Sequence, residues 1–330
     1  MSFNAVKETM FRIARKFLAA MIAALGIAGA VAADYPTHPI KWVVPYPPAG
    51  TTDVLARIMA SWLSEHLGQP VLIENKPGGG NNIGVEYVVR SAPDGYTWLL
   101  VNPANGINAT LYKNLTFNFI RDIAPVAGLI RTPNVMEVTN ALPVKNVAEF
   151  IAYCKKNPGK VNMASSGSGT SVHLSGELFK SMTGCDMLHV PYKGAGPALT
   201  DLIAGQVHVL FDNLPSSAGH IRGGRIRALA VTSAEREPSM PDLPTVAETV
   251  RGYEATAWFG IGMPKGTPRE IIDKVSAETN RALSDPGMLK RLSELGGRPI
   301  KGTPEDFASV IKAETDKWAK VVIQSGAKAE

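Results

Sequence analysis

The chain has 330 residues, with 34 Lys and Arg against 29 Asp and Glu, and a formal net charge of +5. Its first 33 residues hold four basic side chains and one acidic side chain, a net +3 that leaves the rest of the chain at +2. This near neutrality excludes the nucleic-acid-binding proteins that rely on a strongly basic surface, so we expect no nucleic-acid partner. The remaining length is enough for two domains with cores of ordinary size.

The N-terminal segment, residues 1–33, has the pattern of a signal peptide. A basic stretch precedes the apolar run Phe17–Ala30, and a small-residue cleavage pattern follows it. The run is shorter than the roughly 20 apolar residues of a membrane-spanning helix. We therefore expect export, with cleavage near Ala32 or Ala33 and a translation start at Met1 or Met10.

The chain contains two cysteines, Cys154 and Cys185. Cys154 lies late in a predicted helix and Cys185 lies just before a predicted strand, so the two side chains can meet. In an exported protein such a pair favours a disulfide over a catalytic thiol or a metal site, and a bridge and two free thiols are equal alternatives. The histidines are scattered without the spacing of metal ligands, so we expect no metal site and no cofactor.

The first predicted elements alternate between strand, loop and helix. A short β-branched strand, Ile40–Val44, leads into the small-residue loop Pro45–Asp53 and then into an amphipathic helix. A second strand, Val71–Glu74, leads into a glycine-rich segment that matches neither G-x-G-x-x-G nor a P-loop. The strand Thr97–Val101 ends in a polar segment, Asn102–Asn108, which we predict to be a loop. Ligands of open α/β sheets bind beyond the carboxyl ends of the strands, so these loops predict a site.

A second series of strands and helices begins after this point. Two apolar runs, Pro125–Ile130 and Asn134–Val138, are separated by Arg131–Pro133, which we interpret as a crossing between two domains. The aromatic strand that begins at Ala257 is the return crossing, and the helices after it are predicted to cover the first domain. The predicted domains are therefore residues 34–130 with 256–330, and residues 131–255.

One loop of the second series has the features of an anion site. The predicted strand Val161–Ala164 ends in glycine and hydroxyl residues, and the predicted helix Ser171–Met182 follows directly. The first N–H groups of a helix lack internal partners and carry about half a positive charge, so they attract anions. The alternative is that Thr170 or Ser171 merely caps the helix. Two later predicted strands end in similar loops, Pro191–Gly196 and Asp212–Ser217.

The order of these motifs resembles one known family. The segments PYPPAGTTDVLAR, ENKPGGGNNIG, NPGKVNMASSGSGTSVHLSGELF, HVPYKGAGPALTDLIAGQV and FDNLPSS are similar to those of the periplasmic solute receptors of the tripartite tricarboxylate transporter system, the Bug family. The resemblance implies a type II periplasmic binding protein fold. In that fold two mixed-sheet α/β domains are joined by two crossing strands and close on a ligand.

The resemblance also implies a function. The ligand would be a small organic anion, either a mono-, di- or tricarboxylate or an acidic amino acid, and the partners would be the membrane subunits of the transporter. We expect a periplasmic monomer without enzymatic activity. One alternative is a receptor that feeds a signalling system, and another is an exported serine hydrolase using Ser168, His173 and Asp212. The hydrolase motif G-x-S-x-G is not matched, because Ser166 occupies the first glycine position.

In such receptors one carboxylate receives direct bonds from the second-domain loop, and ordered waters bridge it to the first-domain loop. The implied direct contacts are Ser165, Ser166, Gly167, Thr170 and Ser171, and the implied contacts in the water-bridging loop are Tyr46, Pro48, Ala49, Gly50, Thr51, Thr52 and Asp53. Neutral N–H and O–H donors at a helix start can hold a carboxylate without an arginine.

Each of the remaining candidate ligand contacts has two possible interpretations. Tyr192, like Tyr46, is expected to wall the cleft, with ordinary packing as the alternative. His173 either contacts the ligand or caps and packs, and Lys193 either contacts it or is a solvated charge. Asp212 would repel a second carboxylate but could accept a hydrogen bond from a ligand amine or hydroxyl; a structural bond to a neighbouring loop is the alternative.

Three features depart from the family pattern. Ala49 stands where many relatives carry glycine, and Glu137 occupies a strand position that is often apolar. The candidates Asn102 and Asn105 replace the commoner Ser/His form of their loop. The loop change leaves open how the far end of the ligand is bound.

Overall fold

The computed structural model describes residues 35–329, so the predicted signal peptide and its cleavage site lie outside the described residues. The strands are β1 (Ile40–Val44), β2 (Val71–Asn75), β3 (Thr97–Val101), β4 (Ile123–Val138), β5 (Val161–Ser165), β6 (Met187–Pro191), β7 (Val209–Asn213), β8 (Arg227–Val231), β9 (Thr256–Pro264) and β10 (Arg298–Pro299). Short 3₁₀ helices span Gly79–Asn81 and Val246–Glu248.

The α-helices lie mostly between consecutive strands. They are α1 (Thr51–Leu67), α2 (Asn82–Val89), α3 (Pro103–Leu111), α4 (Phe119–Asp122), α5 (Val147–Lys156), α6 (Ser171–Thr183), α7 (Ala195–Ile203), α8 (Leu214–Arg222), α9 (Arg269–Ala282), α10 (Pro286–Glu294) and α11 (Pro304–Ser325). Over residues 35–329, no helix is both long and apolar enough to cross a membrane.

The strands form a mixed sheet in the order β2-β1-β3-β9-β4-β7-β5-β6, with β8 and β10 also paired to β4. At one end β1 pairs in parallel with β2 and β3, and at the other end β5 pairs in parallel with β6 and β7. Between the two ends β9 and β4 run antiparallel to their neighbours. We call β1–β3 with α1–α3, α9 and α10 the first lobe, and β5–β8 with α5–α8 the second lobe.

The strand β4 passes from one lobe to the other. Its first part pairs with β9 as far as Pro133, and its last five residues, from Asn134, pair with β7 and β8. The two apolar runs predicted here are therefore one continuous strand. Proline lacks an N–H donor, and Pro133 stands where the strand exchanges one set of partners for another, so it does not interrupt the ladder.

Apolar clusters fill both lobes. The largest one of the second lobe, which we call the second-lobe cluster, also includes Ile107 and Leu111 of α3. The short strands β1, β3 and β7 are almost wholly buried, as expected for strands covered on both faces. In the first lobe α1 places Leu55, Met59 and Leu63 against the sheet. In the second lobe Phe179 packs in edge or tilted contact with Phe150 and Phe211.

The C-terminal helix α11 is anchored in both lobes. Phe307 and Ile311 near its start pack with Trp258 in a first-lobe cluster, whereas Trp318 and Val322 near its end join the second-lobe cluster. The sequence placed this helix on the first domain. At 1.5 Å per residue its 22 residues span roughly 33 Å, enough to reach across the boundary between the lobes.

The structure corrects the expectation of a possible disulfide. Cys154 and Cys185 are free thiols, both buried in the second-lobe cluster. They do meet, but as a hydrogen-bonded pair in which each cysteine packs as a small apolar side chain. This hydrogen bond, with burial, raises the pKa of Cys154, and it lowers the pKa of Cys185.

Candidate functional site

The first loop of the site ends at the start of α1. Gly50 is the N-cap and offers no side chain to the first turn, so the N–H groups of Thr51 and Thr52 keep no intrahelical acceptor. The N–H of Ala49, which has φ +72°, donates to Asp53 Oδ2 over 3.1 Å. Ala49 and Asp53 therefore shape the loop, while Thr51 and Thr52 present their donors at its end.

Asp53 is committed to its own neighbours. Its carboxylate pairs with Arg57 at 2.9 Å and accepts from Asn75 Nδ2 over 3.0 Å. Burial raises the pKa of Asp53, but the bonds from Arg57, Asn75 and the Ala49 amide lower it further, so the net shift is downward. The sequence grouped Asp53 with the ligand contacts; the structure gives it a role in holding the loop.

The second loop ends at the start of α6. Thr170 is the N-cap: its Oγ1 accepts from the His173 N–H over 3.2 Å and donates to Gly167 O over 2.7 Å. The capping interpretation of Thr170 is therefore right. Ser171 differs, because its Oγ accepts from Asn213 Nδ2 over 3.2 Å and its own hydroxyl hydrogen stays available.

Beneath the second loop lies a stack of two histidines. The rings of His173 and His189 are parallel with centroids 3.9 Å apart, and Ser165 Oγ lies 2.6 Å from His189 Nε2. Gly169 N–H donates to His173 Nδ1 over 3.2 Å. Burial lowers the pKa of His173 to about 3 and that of His189 to about 4, so both rings are neutral. Ser165 and His173 thus support the loop from below.

The two loops face a common cavity between the lobes. Four helices begin at its wall: α1 at Gly50–Thr52, α3 at Asn102–Pro103, α6 at Thr170–Ser171 and α7 at Gly194–Gly196. A fifth, α8, is preceded there by its N-cap Asn213. Each start carries a partial positive charge, and the starts of α1 and α6 also have N–H groups without an intrahelical acceptor, so the cavity favours an anion.

We call this cavity the small compartment; its volume is about 30 Å³. Its lining residues are Tyr46, Pro47, Pro48, Gly50, Thr51, Thr52, Asn102, Pro103, Ser166, Thr170, Ser171, Gly194, Ala195, Gly196, Asp212, Asn213 and Phe259. None of them is basic. A group the size of one carboxylate or a pair of waters fits such a volume.

A larger space adjoins it through the shared residues Tyr46, Pro47 and Ser166. This large compartment has a volume of about 330 Å³ and is also lined by the glycine-rich segment Pro77–Asn81, Tyr112, the segment Gly167–Ser168 and the segment Pro191–Lys193. It has room for the remainder of a small ligand. Ala49, Asp53, Asn105, Ser165 and His173 line neither compartment.

Two side chains of the large compartment carry polar tips. The Tyr192 hydroxyl donates to Asp201 Oδ2 over 2.6 Å, and burial together with that carboxylate raises the pKa of Tyr192 to about 12. Lys193 is exposed and is the basic residue among the described lining residues of this compartment. The phenol of Tyr192 is therefore held as part of the wall.

An asparagine cluster closes the first-lobe side. Asn102 caps α3, with Oδ1 accepting from the Ala104 N–H over 3.1 Å, and Asn105 Oδ1 completes a capping box by accepting from the Asn102 N–H over 2.8 Å. Asn81 Nδ2 donates to the Tyr46 hydroxyl over 3.1 Å. Asn102 is thus at the cavity wall, and Asn105 supports it from behind.

The sequence missed two of these helix starts and placed a third two residues late. The polar segments after β3 and β7 were predicted to be loops, yet α3 begins at Pro103 and α8 at Leu214. The signal was present, because asparagine followed closely by proline is a helix-start pattern. The predicted helix at Pro197 begins earlier, at Ala195, since proline is tolerated throughout a first turn whose N–H groups are unpaired.

Two buried carboxyl groups lie under the second-lobe wall. Asp212 ends β7 and lines the small compartment, while Glu137 lies on β4, and neither has exposed surface. Burial raises the pKa of Asp212 to about 6, against the hydrogen bonds from Ser216 and Ser217, which lower it. Burial, and then the charge of Asp212, raise the pKa of Glu137 well above its ordinary value.

The hydrolase arrangement is not assembled. Ser168 Oγ has no hydrogen-bond partner within residues 35–329, and His173 Nδ1 accepts from a backbone amide. Asp212 binds serines of α8 instead of His173. A nucleophile needs a base within hydrogen-bond reach, and these three residues do not provide that contact.

A sheet divided into two lobes by crossing strands, with helix starts converging on a cavity between the lobes, defines the class of two-lobed solute-binding proteins. Within that class the family is set by comparison with known proteins. The tripartite tricarboxylate transporter family receptor matches residues 55–327, and the chain belongs to this family. The predicted resemblance and the predicted two-lobed fold are confirmed.

Similar proteins cover nearly the whole chain. It is 38% identical over 313 residues to protein BugT of Bordetella pertussis. The aligned region covers 93% of this chain and 95% of BugT. It is similar in structure to R. palustris Rpa4515, solved with adipate, at 40% identity and a TM-score of 0.88 over 90% of this chain and 100% of that one. It is also similar to MatC of Rhodopseudomonas palustris, solved with bound malate, at 32% identity and a TM-score of 0.83 over 87% of this chain and 100% of that one.

Proposed function

We propose that this receptor captures a small organic carboxylate between its two lobes, without chemical turnover, and delivers it to the membrane subunits of a tripartite tricarboxylate-type transporter. The observation that carries the proposal is the convergence of five helix starts on one cavity whose described lining residues include no basic side chain. Adipate and malate, bound by two similar receptors, are both carboxylates of a size that the two compartments would hold.

One carboxylate of the ligand would occupy the small compartment. Ser171 and the free amides at the start of α6 would bind it directly, and ordered waters would bridge it to Thr51 and Thr52 on the opposite lobe. Ser166 and Gly167, at the junction with the large compartment, would meet the ligand as it enters. Tyr46 and Tyr192 would wall the remainder of the ligand.

The lobes would close on the ligand by a hinge motion. The moving units would be the predicted domains, residues 34–130 with 256–330 and residues 131–255, turning about the crossing strands β4 and β9. In the structure the lobes already touch across the cavity, since Thr51 Oγ1 donates to Ser216 Oγ over 3.1 Å. The membrane subunits would recognise the closed form.

Localisation and assembly follow from the same proposal. The chain would be exported, cleaved near Ala32 or Ala33, and act in the periplasm as a monomer. Mass spectrometry of the mature chain tests the cleavage site, and its elution volume on gel filtration tests whether it is a monomer. A mature N-terminus far from these residues would contradict the cleavage site.

A thermal-shift screen tests the binding function. The mature chain, refolded to remove any prebound ligand, is heated with C3 to C6 carboxylates, acidic amino acids and aromatic acids. A ligand that binds only the folded state stabilises it, by about 2.7 kcal/mol at a hundred times its Kd. We expect at least one carboxylate to raise the Tm. The absence of any shift across the panel would refute the proposal.

A further inference from the structure

A chain of hydroxyl and carboxyl groups links the first lobe to the interior of the second. Thr51 Oγ1 donates to Ser216 Oγ, and Ser216 Oγ lies 2.5 Å from Asp212 Oδ2. Ser217 Oγ lies 3.0 Å from the same Oδ2 and 2.8 Å from Glu137 Oε1. Within residues 35–329 no cationic side chain contributes to the environment of either carboxyl group.

The hydrogens of this chain can be counted. The Ser217 hydroxyl has one hydrogen, yet it lies within bonding distance of an oxygen on each carboxyl group. It therefore donates to one and accepts from the other, and the carboxyl group that donates to it carries a proton. Glu137 is that group, because it has the more strongly raised pKa. Asp212 is then the anion, with Oδ2 within hydrogen-bond distance of both serine hydroxyls; the Ser216 hydroxyl also lies 2.9 Å from Asn213 O.

The other oxygen of Asp212 has no such partners. Oδ1 is buried and, within the described part of the chain, makes no hydrogen bond. Asp212 is also the one charged side chain among the described residues that line the small compartment. A buried carboxylate oxygen without a donor is unfavourable. The Nδ2 group of Asn102, at the same wall, is likewise buried without an acceptor.

We propose that Asp212 is a specificity-determining residue that selects carboxylates bearing a hydroxyl or ammonium group next to the bound carboxylate. The proposal rests on the proposed function. The carboxylate of the ligand lies against the helix starts, and its neighbouring donor binds Asp212 Oδ1. An unsubstituted acid leaves Oδ1 unpaired and has no donor to offset the repulsion between its carboxylate and the Asp212 anion, so the site disfavours it. Glu137 acts through Ser217 as a neutral positioning residue for Asp212.

Isothermal titration of the mature chain with matched acids tests this. The probes are succinate, malate and aspartate, then glutarate, 2-hydroxyglutarate and glutamate, and finally adipate and 2-aminoadipate. At each chain length that binds, we expect a substituted acid to bind at least about tenfold more tightly than the unsubstituted one, as one charge-assisted hydrogen bond allows. In Asp212→Asn we expect that ratio to fall below about threefold. The exposed Asp242→Asn is the matched control and keeps the ratio.

The ratio separates selectivity from stability, because a general loss of stability weakens both members of a matched pair. A ratio near one in the unmodified chain overturns the proposal, even if Asp212→Asn fails to fold. So does a ratio that Asp212→Asn leaves unchanged. In both cases carboxylates still bind, and the proposed function stands. If none of the acids binds, the proposed function and this inference fall together.

Discussion

The Ser171 hydroxyl is the clearest single donor of the proposed site. It opens α6, lines the small compartment, and accepts from Asn213 Nδ2, while within residues 35–329 its hydrogen is donated to no acceptor. A hydrogen bond to a charged group contributes roughly 1.5–3 kcal/mol. We expect Ser171→Ala to weaken carboxylate affinity by about tenfold or more in isothermal titration.

The control for this variant is Ser309→Ala, an exposed hydroxyl on α11 that donates to Glu305 O. It should leave the affinity unchanged. Equal affinities of Ser171→Ala and the unmodified chain would show that this hydroxyl does not bind the ligand.

Because Glu137 is a buried acid, we expect the stability of the chain to depend on pH. The pKa of Glu137 in the folded chain is raised above its ordinary value of 4.5. At a pH between 4.5 and this raised pKa, Glu137 is therefore more often protonated in the folded state than in the unfolded state. Stability contributed by this group is therefore present at low pH and lost as the pH rises. Glutamine cannot ionise, so Glu137→Gln should gain Tm over the unmodified chain at pH 8 and show little difference at pH 4.

Differential scanning calorimetry at the two pH values measures this difference in Tm. In a chain of this size, each kcal/mol of unfolding free energy changes the Tm by roughly 2–4 °C. A difference that does not change with pH would mean that Glu137 is not a protonated acid in the folded chain.

At the scale of secondary structure, the apolar patterns located most of the strands, although β4 was predicted as two runs and β10 was not predicted. The predicted bounds of β1 and β3 agree with the structure, because short buried strands are defined by their apolar residues alone. The helix starts at Asn102 and Asn213 were misread as loops, since residues that cap a helix also favour turns. Both positions carry a residue that can cap a helix. Such a residue indicates a helix start, and not a turn, only when a helical pattern follows it.

The buried acid pair could not have been predicted from the sequence. Glu137 was noted as unusual for its strand, but only the register of β4 against β7 and the placement of α8 bring it to Ser217 and Asp212. Likewise the two cysteines were expected to meet, and their chemical state followed only from the structure. Contacts between distant segments depend on tertiary packing that no local pattern contains.

The crossing strand β9 depends on a glycine for its packing. A Cβ atom on Gly260 would lie 2.0 Å from the ring of Phe307 and 2.6 Å from Ala127 O. Phe307 is itself buried against Trp258, so neither neighbour can retreat. We expect Gly260→Ala to cost about 1–3 kcal/mol or more, as overpacked cores do, measured by chemical denaturation.

Gly219 is the matched control for this variant. It lies exposed in α8 with no atom within 4 Å of an added Cβ, so Gly219→Ala should stabilise the chain by about 0.5–1 kcal/mol through helix propensity. If both variants shifted stability alike, the close packing at the crossing strand would be disproved.

At the scale of the whole molecule, the two lobes share more than a hinge. The strands β4 and β9 run between them, α11 packs in a core of each, and Thr51 and Ser216 meet across the cavity. This architecture brings helix starts from both lobes to one small compartment. In the proposed function, these starts bind the charge of a carboxylate.

Comparing an acid with its neutral amide tests whether the helix starts recognise the charge of the carboxylate. The carboxylate that binds most tightly is titrated calorimetrically beside derivatives in which each carboxylate in turn is a primary amide. Loss of two charge-assisted hydrogen bonds predicts that one of these amides binds about a hundredfold more weakly or worse. If every amide bound as tightly as the acid, the helix starts would not be recognising carboxylate charge, and the account would be contradicted.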